Sequence, residues 1–375
     1  MPVTSGEIVE ALFAHAPREL AEPWDNIGLV VGDPRVRVRR ALLCVDATEE
    51  IIAEAKRARA RLVVAHHPPF VEPLKRARAD EGESAVACAA ARAGIGICAM
   101  HTNLDYAPAG LCVELARVVG LADLRPLAAA GASSLIKLAV FVPQDHLTAV
   151  RQAMATAGAG RIGGYDECSF GVEGVGTYRP LAGARPYVGA VGRLEQAAEV
   201  RLEMVVPRTA LSRVLAAMEQ AHPYEEVACD LYALANPWPN SARGALGRLP
   251  RATTLSAFGR RVRQALDATT VRIGGDARRR IRTVAVASGS GGSLIGEAAA
   301  AGADALLLGE LRHHDALRAR ALGLGLIEAG HYATERPAVE LMRRWLEEAF
   351  GARIEIIVSR LCGDPFAFAL SRPPA

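Results

Sequence analysis

The sequence predicts an α/β fold: two parallel-sheet halves, one at each end of the chain, with a ferredoxin-like α+β segment inserted between them. Three observations predict it. Apolar runs of strand length alternate with helical patterns at both ends of the 375-residue chain. The middle carries one motif twice at a fixed offset. Hydrophobic residues make up 51% of the chain but aromatics only 5%, so burial must come from Ala, Val, Leu and Ile, which suits layered packing. The length exceeds the ~250–300 residues at which a single core stops growing, so more than one domain is expected.

The N-terminal series reads as a strand over 41–45, a helix from about Thr48, a strand over 62–65, a helix near 84–93 and a strand over 95–100. That order is the βα repeat of a parallel sheet. The middle then changes character. Phe141-Val-Pro-Gln-Asp-His-Leu147, followed by Val150, Ala153 and Met154, recurs as Val205-Val-Pro-Arg-Thr-Ala-Leu211 with Val214, Ala217 and Met218, an offset of 207 − 143 = 64 residues. Each copy is an apolar strand, a proline at the turn and apolar positions at helical spacing, the pattern of two βαβ halves of a ferredoxin-like domain. The turn formers Asn236-Pro-Trp-Pro-Asn-Ser241 read as the exit linker. A second βα series follows: a strand over 283–287, a helix from Ser293, a strand over 305–308, a helix near 315–321 and a strand over 324–329. The expected domains are residues 1–133, 134–235 and 236–375, the first and last forming one core.

Composition narrows the function. Lysine occurs only at Lys56, Lys75 and Lys137, leaving 44 − 3 = 41 arginines, and the net charge is +3 with basic and acidic residues dispersed. No polyanion-binding tail is present, which argues against nucleic acid as a partner. Seven cysteines without a C-x-x-C pair offer neither a disulfide framework nor a zinc knuckle, and fit a reducing compartment. No signal peptide and no run of the roughly 18 apolar residues needed for a membrane span is found, so the expected location is the cytoplasm with no membrane partner.

The polar residues at strand ends carry the chemistry. The apolar run Leu62-Val-Val-Ala65 leads into His66-His67-Pro68-Pro69, where two prolines stop regular structure. A second run leads into His101-Thr-Asn-Leu-Asp105, and a third into Gly330-His331-Tyr-Ala-Thr-Glu335. Ligands of open parallel sheets gather beyond the carboxyl ends of the strands, so three runs deliver imidazoles and carboxylates to one rim. A mixed nitrogen and oxygen set suits Zn, Fe, Mn, Co or Ni, and five ligands exceed what one tetrahedral site takes, which implies two metals. Ions about 3.5–4 Å apart share a water, lower its pKa and clamp attacking and leaving oxygens, so hydrolysis is the natural use. The competing reading of the last run is a helix start, with Thr334 as N-cap and Pro337 in the first turn.

Trp24-Asp-Asn-Ile-Gly-Leu29, His66-His-Pro-Pro-Phe70, His101-Thr-Asn-Leu-Asp105, Ser288-Gly-Ser-Gly-Gly-Ser293 and Gly330-His-Tyr-Ala-Thr-Glu335 resemble, in order, the signature blocks of the dinuclear-metal GTP cyclohydrolase type 2 homologues, the NIF-three-like proteins. The similarity spans nearly the whole chain. In the insertion, Tyr165-Asp-Glu-Cys-Ser-Phe170 and His222-Pro-Tyr-Glu-Glu226 resemble the long bacterial members. The resemblance implies metal ligands at His66, His67, Asp105, His331 and Glu335, the set that the topology also delivers. It further implies two divalent ions per subunit facing the interior of a toroidal homohexamer.

Around these ligands, His101 reads as a ligand, a hydrogen-bonding partner of the ligands or a proton shuttle; the last two are favoured, because Asp105 completes the family set without it. Glu310, with His313 or His314 after it, occupies the same rim as a general acid or base, or simply opens a surface helix. Ser288, Gly289, Ser290, Gly291 and Gly292 are assigned to substrate binding, their amides cradling a phosphate; the alternative is a tight turn. The run is no Walker motif, and Leu294 stands where a dinucleotide fingerprint needs its third glycine. Trp24, Asp25 and Asn26 read as a polar turn lining the site or as a structural corner. Tyr224, Glu225 and Glu226 read as ligand contacts or, in preference, as part of an assembly or gating role of the inserted domain. The leading functional expectation is a dinuclear divalent-metal-dependent hydrolase of a nucleotide or small phosphorylated compound. The family name implies opening of the guanine imidazole ring of GTP with release of formate. The alternatives are a metal-dependent phosphoesterase and a non-catalytic metal-dependent binding or regulatory protein.

Overall fold

The structure, a computed structural model, describes residues 2–128, 135–234, 243–361 and 363–366. The chain divides into two compact units, Met1–Ala128 with Ser241–Ala375, and Ala129–Asn240. The linker expected at Asn236-Pro-Trp-Pro-Asn-Ser241 lies outside the described residues.

In chain order the N-terminal segment supplies strands β1 (Val3–Thr4), β2 (Gly28–Val31), β3 (Arg37–Val38), β4 (Arg40–Asp46), β5 (Leu62–His67), β6 (Gly96–Ala99) and β7 (Ala122–Ala128). Its helices are α1 (Ser5–His15), α2 (Glu49–Arg57), α3 (Gly82–Ala93), α4 (Thr102–Tyr106) and α5 (Leu111–Val118). Local chemistry sets the starts. Thr4 and Glu7 exchange side-chain and backbone hydrogen bonds in a capping box. Thr48 caps α2, whose Glu49 and Glu50 sit at the positive end of the helix dipole and Lys56 and Arg57 at the negative end.

The second unit follows with β8 (Leu135–Pro143), α6 (Leu147–Thr156), β9 (Ser169–Tyr178), β10 (Glu195–Pro207), α7 (Leu211–Ala221) and β11 (Cys229–Ala233). Its sheet is antiparallel throughout, in the order β11-β8-β10-β9. The repeated motif explains the repeat in structure: Pro143 and Pro207, which lack an N–H for the ladder, end their strands, and a single 3-10 turn leads each into its helix. Val150 and Met154 in one copy, and Val214 and Met218 in the other, are fully buried against the sheet.

The chain returns to the first unit as β12 (Arg243–Thr254), α8 (Leu255–Ala265), β13 (Arg272–Gly274), β14 (Arg280–Val286), α9 (Ile295–Ala300), β15 (Ala305–Leu308), α10 (His313–Ala321), β16 (Gly325–Glu328), α11 (His331–Glu335), α12 (Pro337–Phe350) and β17 (Glu355–Val358). Two large sheets result, ordered β17-β4-β5-β6-β2 and β13-β16-β15-β14-β12-β7. Their centres are parallel, as the βα repeats predict: β17, β4, β5 and β6 in one, β14, β15 and β16 in the other. The remaining pairings are antiparallel, so the sheets are mixed rather than purely parallel. Each sheet also takes an edge strand from the other end of the chain, β17 against β4 and β7 against β12. Covering β4 in this way removes an exposed edge from a strand whose interior is entirely buried. Among the described residues no helix is long and apolar enough to cross a membrane, and the six described cysteines are free.

Candidate metal centre

The carboxyl ends of six parallel strands supply this site. In the five-stranded sheet, β4 ends on Asp46, β5 on His66 and His67, and β6 leads through His101 into α4 and Asp105. In the six-stranded sheet, β14 leads to Ser288 and Gly289, β15 to Gly309 and Glu310, and β16 to His331 and Glu335 on α11. Backbone leaving a ladder at this end frees side chains to face a common crevice. Pro68 and Pro69 fix where β5 stops, since neither can donate to a further ladder bond.

Two donor groups form, His66 with His67 and His101, and His67 with His331 and Glu335, the ligand atoms of each within 4.8 Å of one another. His67 belongs to both. Every one of the four imidazoles is tied at Nδ1 to an outer acceptor. His66 is held by the Met100 carbonyl at 2.8 Å, His67 by Asp46 at 2.7 Å, His101 by Asp25 at 2.8 Å and His331 by Glu310 at 3.2 Å. A ring anchored through Nδ1 presents Nε2, and this is how protein scaffolds aim an imidazole at a metal. Glu335 meets them: Oε1 lies 3.0 Å from His331 Nε2 and 3.8 Å from His66 Nε2, and Oε2 lies 3.1 Å from His67 Nε2. The His67 approach lacks hydrogen-bond alignment, so Glu335 Oε2 and His66 Nε2 are both buried without a hydrogen-bond partner among the described residues. His66 Nε2, left without any partner, carries a cost of about 1–3 kcal/mol, whereas Glu335 Oε2 still faces the His67 ring; a cation between the His66 ring and the carboxylate would satisfy both atoms. The residues therefore fit a divalent metal.

The electrostatics agree. Burial alone would push His67 down, but Asp46 and Glu335 outweigh it and raise the ring to about 10. The hydrogen bond to Glu335 raises His331 to about 9. Burial likewise works to raise Glu335 and Asp25, yet the imidazoles around Glu335, and His101 with Thr102 around Asp25, hold both carboxyls below their ordinary range. Asp105 goes the other way. It is pushed up by burial and by the charge of Glu335, against the pull of His66 and His101.

Gly289 makes the space. A Cβ there would lie 2.2 Å from Glu335 Oε1 and 3.1 Å from His331 Nε2, and the residue has φ +51. Its amide donates to Thr334 Oγ1 at 3.1 Å, and Thr334 in turn donates to the carbonyls of Gly330 and His331. Thr334 is thus inside α11, not its N-cap; Gly330 is the cap residue, and Pro337 opens α12 instead. The threonine is drawn inward because the buried Gly289 amide offers it a donor.

Of the residues singled out in the sequence, His66, His67, His101, His331, Glu335 and Glu310 come together here. Asp105 lies in neither compact donor group but is half-buried beside them, accepting a 2.7 Å hydrogen bond from Ser288. Asp25 is the anchor of His101 and Thr102, while Asn26 donates to the Phe70 carbonyl and Trp24 sets its ring edge-on to His101. His313 and His314 open α10 and face each other at 5.8 Å, apart from both donor groups. Ser290 and Gly292 line a cleft of about 730 Å³ with Arg272, Glu310, Arg312 and Arg318. Sequence reasoning missed Asp46. Its signal was present, since it is the polar residue at the carboxyl end of an apolar strand, the rule that found the histidines.

The profile described as Duf34/NIF3 (NGG1p interacting factor 3) matches residues 3–365. A Halalkalibacterium halodurans protein named GTP cyclohydrolase 1 type 2 homolog is 36% identical over 372 residues, covering 98% of this chain and 100% of that one. A Mycobacterium tuberculosis protein of the same name is 38% identical, covering 98% and 97%. Among solved structures, a Bacillus cereus protein related to NIF3 superposes with a TM-score of 0.65 at 35% identity, covering 98% of this chain and 100% of that one. A Staphylococcus aureus protein gives 0.68 at 26% identity, covering 98% and 99%.

Proposed function

Because the chain belongs to the Duf34/NIF3 (NGG1p interacting factor 3) family, we propose that it is a dinuclear divalent-metal-dependent hydrolase of a nucleotide or other small phosphorylated compound. The observation that carries this reading is the set of four imidazoles turned inward by their Nδ1 anchors around the orphaned atoms of His66 and Glu335. His66, His67, Asp105, His331 and Glu335 would hold the ions, and the donor set accepts Zn, Fe, Mn, Co or Ni. Bound there, two divalent ions supply Lewis acidity and lower the pKa of water. The chain does the rest. Asp25 fixes the tautomer of His101, which leaves Nε2 able to exchange a proton beside the ligands. Glu310, half exposed and 3.2 Å from His331 Nδ1, reaches solvent as acid or base. Ser288 orients Asp105, while Ser290 and Gly292 with the arginines of the adjoining cleft receive the phosphate; Gly289, whose amide is given to Thr334, shapes the site instead.

The domain plan belongs to the same proposal: segments 1–133 and 236–375 form the metal-binding core, and 134–235 is a ferredoxin-like insertion. Support comes from the βαββαβ order of the second unit and its β11-β8-β10-β9 sheet. A cytoplasmic homohexamer completes it. The test is product formation from GTP and from phosphodiesters by metal-loaded protein, with and without chelator. Turnover that chelator abolishes and Asp105→Ala removes, with oligomeric mass unchanged, is the expected result. Loaded protein that turns over neither class of substrate while still taking up two ions would leave a binding protein, and the hydrolase reading would fall.

A further inference from the structure

We propose that the Ala129–Asn240 unit binds a small organic ammonium ion, with alkyl groups on its nitrogen, in an aromatic cage formed by Tyr178, Tyr187 and Tyr224 and charged by Glu199. These residues line a cavity of about 550 Å³, with Phe141 in its wall and the segment after β9 along its side. The Tyr224 ring neighbours both of the others, 6.4 Å from Tyr178 at 56° and 6.0 Å from Tyr187 at 44°. Rings tilted by such angles are not stacked on one another, so their faces, which carry the negative end of the ring quadrupole, are left for a ligand in the cavity they line.

Each phenol is already committed elsewhere. Tyr178 donates to the Val188 carbonyl at 2.8 Å, Tyr224 donates to Glu199 Oε1 at 2.8 Å, and the Tyr187 hydroxyl lies 3.1 Å from His146 Nε2. With their polar tips engaged, the rings offer apolar, electron-rich surface. Burial, reinforced by Glu199, keeps the Tyr224 phenol protonated far above neutral pH.

The charge balance selects a cation. Glu199, Glu225 and Glu226 line the cavity against Arg179 alone. Arg185 lies 3.6 Å from Glu225, whereas Glu199 has no arginine or lysine partner among the described residues. Glycine at 176 is what admits the Glu199 carboxylate, because a Cβ there would lie 2.1 Å from its Oε2. Aromatic faces beside an uncompensated carboxylate recognise alkylated ammonium, which is too weakly hydrated to prefer water and too bulky for a carboxylate alone.

The test is calorimetric titration of the full-length protein with choline chloride, against its uncharged carbon isostere and sodium chloride at equal ionic strength. Saturable binding of choline but not of the isostere or sodium is expected. Glu199→Gln, which keeps an acceptor for Tyr224, and Tyr224→Leu should each weaken it roughly tenfold or more with unchanged far-UV circular dichroism. Equal binding of the isostere would reduce the cavity to an apolar pocket and overturn the proposal, as would no binding of choline by folded wild-type protein. A trimethyl-lysine peptide binding far tighter than choline would move the cage to a protein partner and overturn the small-ligand assignment.

Discussion

Position 289 shows how much of the centre depends on single atoms. The Cβ of Gly289→Ala would lie 2.2 Å from Glu335 Oε1, on a backbone with φ +51. The variant should lose about 1–3 kcal/mol of stability from the strained backbone and bind metal at least roughly tenfold more weakly. Thermal unfolding and metal analysis after desalting measure the two effects. Protonation makes a second prediction. In metal-free protein His67 and His331, raised to about 10 and about 9, are cations at neutral pH beside the Glu335 anion. Their contribution to stability is complete below the ordinary histidine value of ~6.5 and is lost as pH climbs through 9 to 10. A metal needs both rings neutral, so loading at neutral pH should release about two protons and tighten as pH rises across that window. Calorimetry in two buffers of different ionisation enthalpy counts them, and a count of zero would contradict the raised values.

Among elements, the tie between α11 and the loop after β14 is one hydroxyl. Thr334→Val keeps the shape but leaves the buried Gly289 amide without its acceptor, which should cost about 1–3 kcal/mol in chemical denaturation. An unchanged midpoint would mean water replaces the threonine. This is also the scale at which the sequence was most and least legible. Strands such as Ala305–Leu308 are continuous apolar runs and can be read directly. The histidines announce themselves because Pro68 and Pro69 mark where β5 must stop. Asp46 could not be assigned to His67 without the β4–β5 register that sets the two residues opposite each other. Asp25 and His101 are joined across 76 residues by the path of the chain, which no local pattern encodes. The mixed sheets escaped for the same reason: Glu355-Ile-Ile-Val358 looks like any short strand, and its partner is β4, far away in sequence.

For the whole molecule, the pairing of Ala128 with Arg243 across β7 and β12 has a practical use. The first unit's chain leaves and returns at antiparallel partners, the geometry that a two-residue hairpin turn closes. Replacing residues 129–242 with Asn-Gly should therefore give a cooperatively folding protein that takes up as much metal as the full chain by elemental analysis. Loss of metal uptake in a folded product would show that the second unit is needed to assemble the centre. The parallel seam between β17 and β4 bears on biosynthesis. Val358 pairs with Leu43, so 358 − 43 = 315 residues separate the two partners. At ~5–20 residues per second a ribosome takes roughly 15–60 s over that interval, during which the nascent N-terminal sheet carries an open flank. Whatever shields that flank in the cell must act before translation ends, and a ribosome stalled short of codon 355 would display a protein with a sticky, unfinished side.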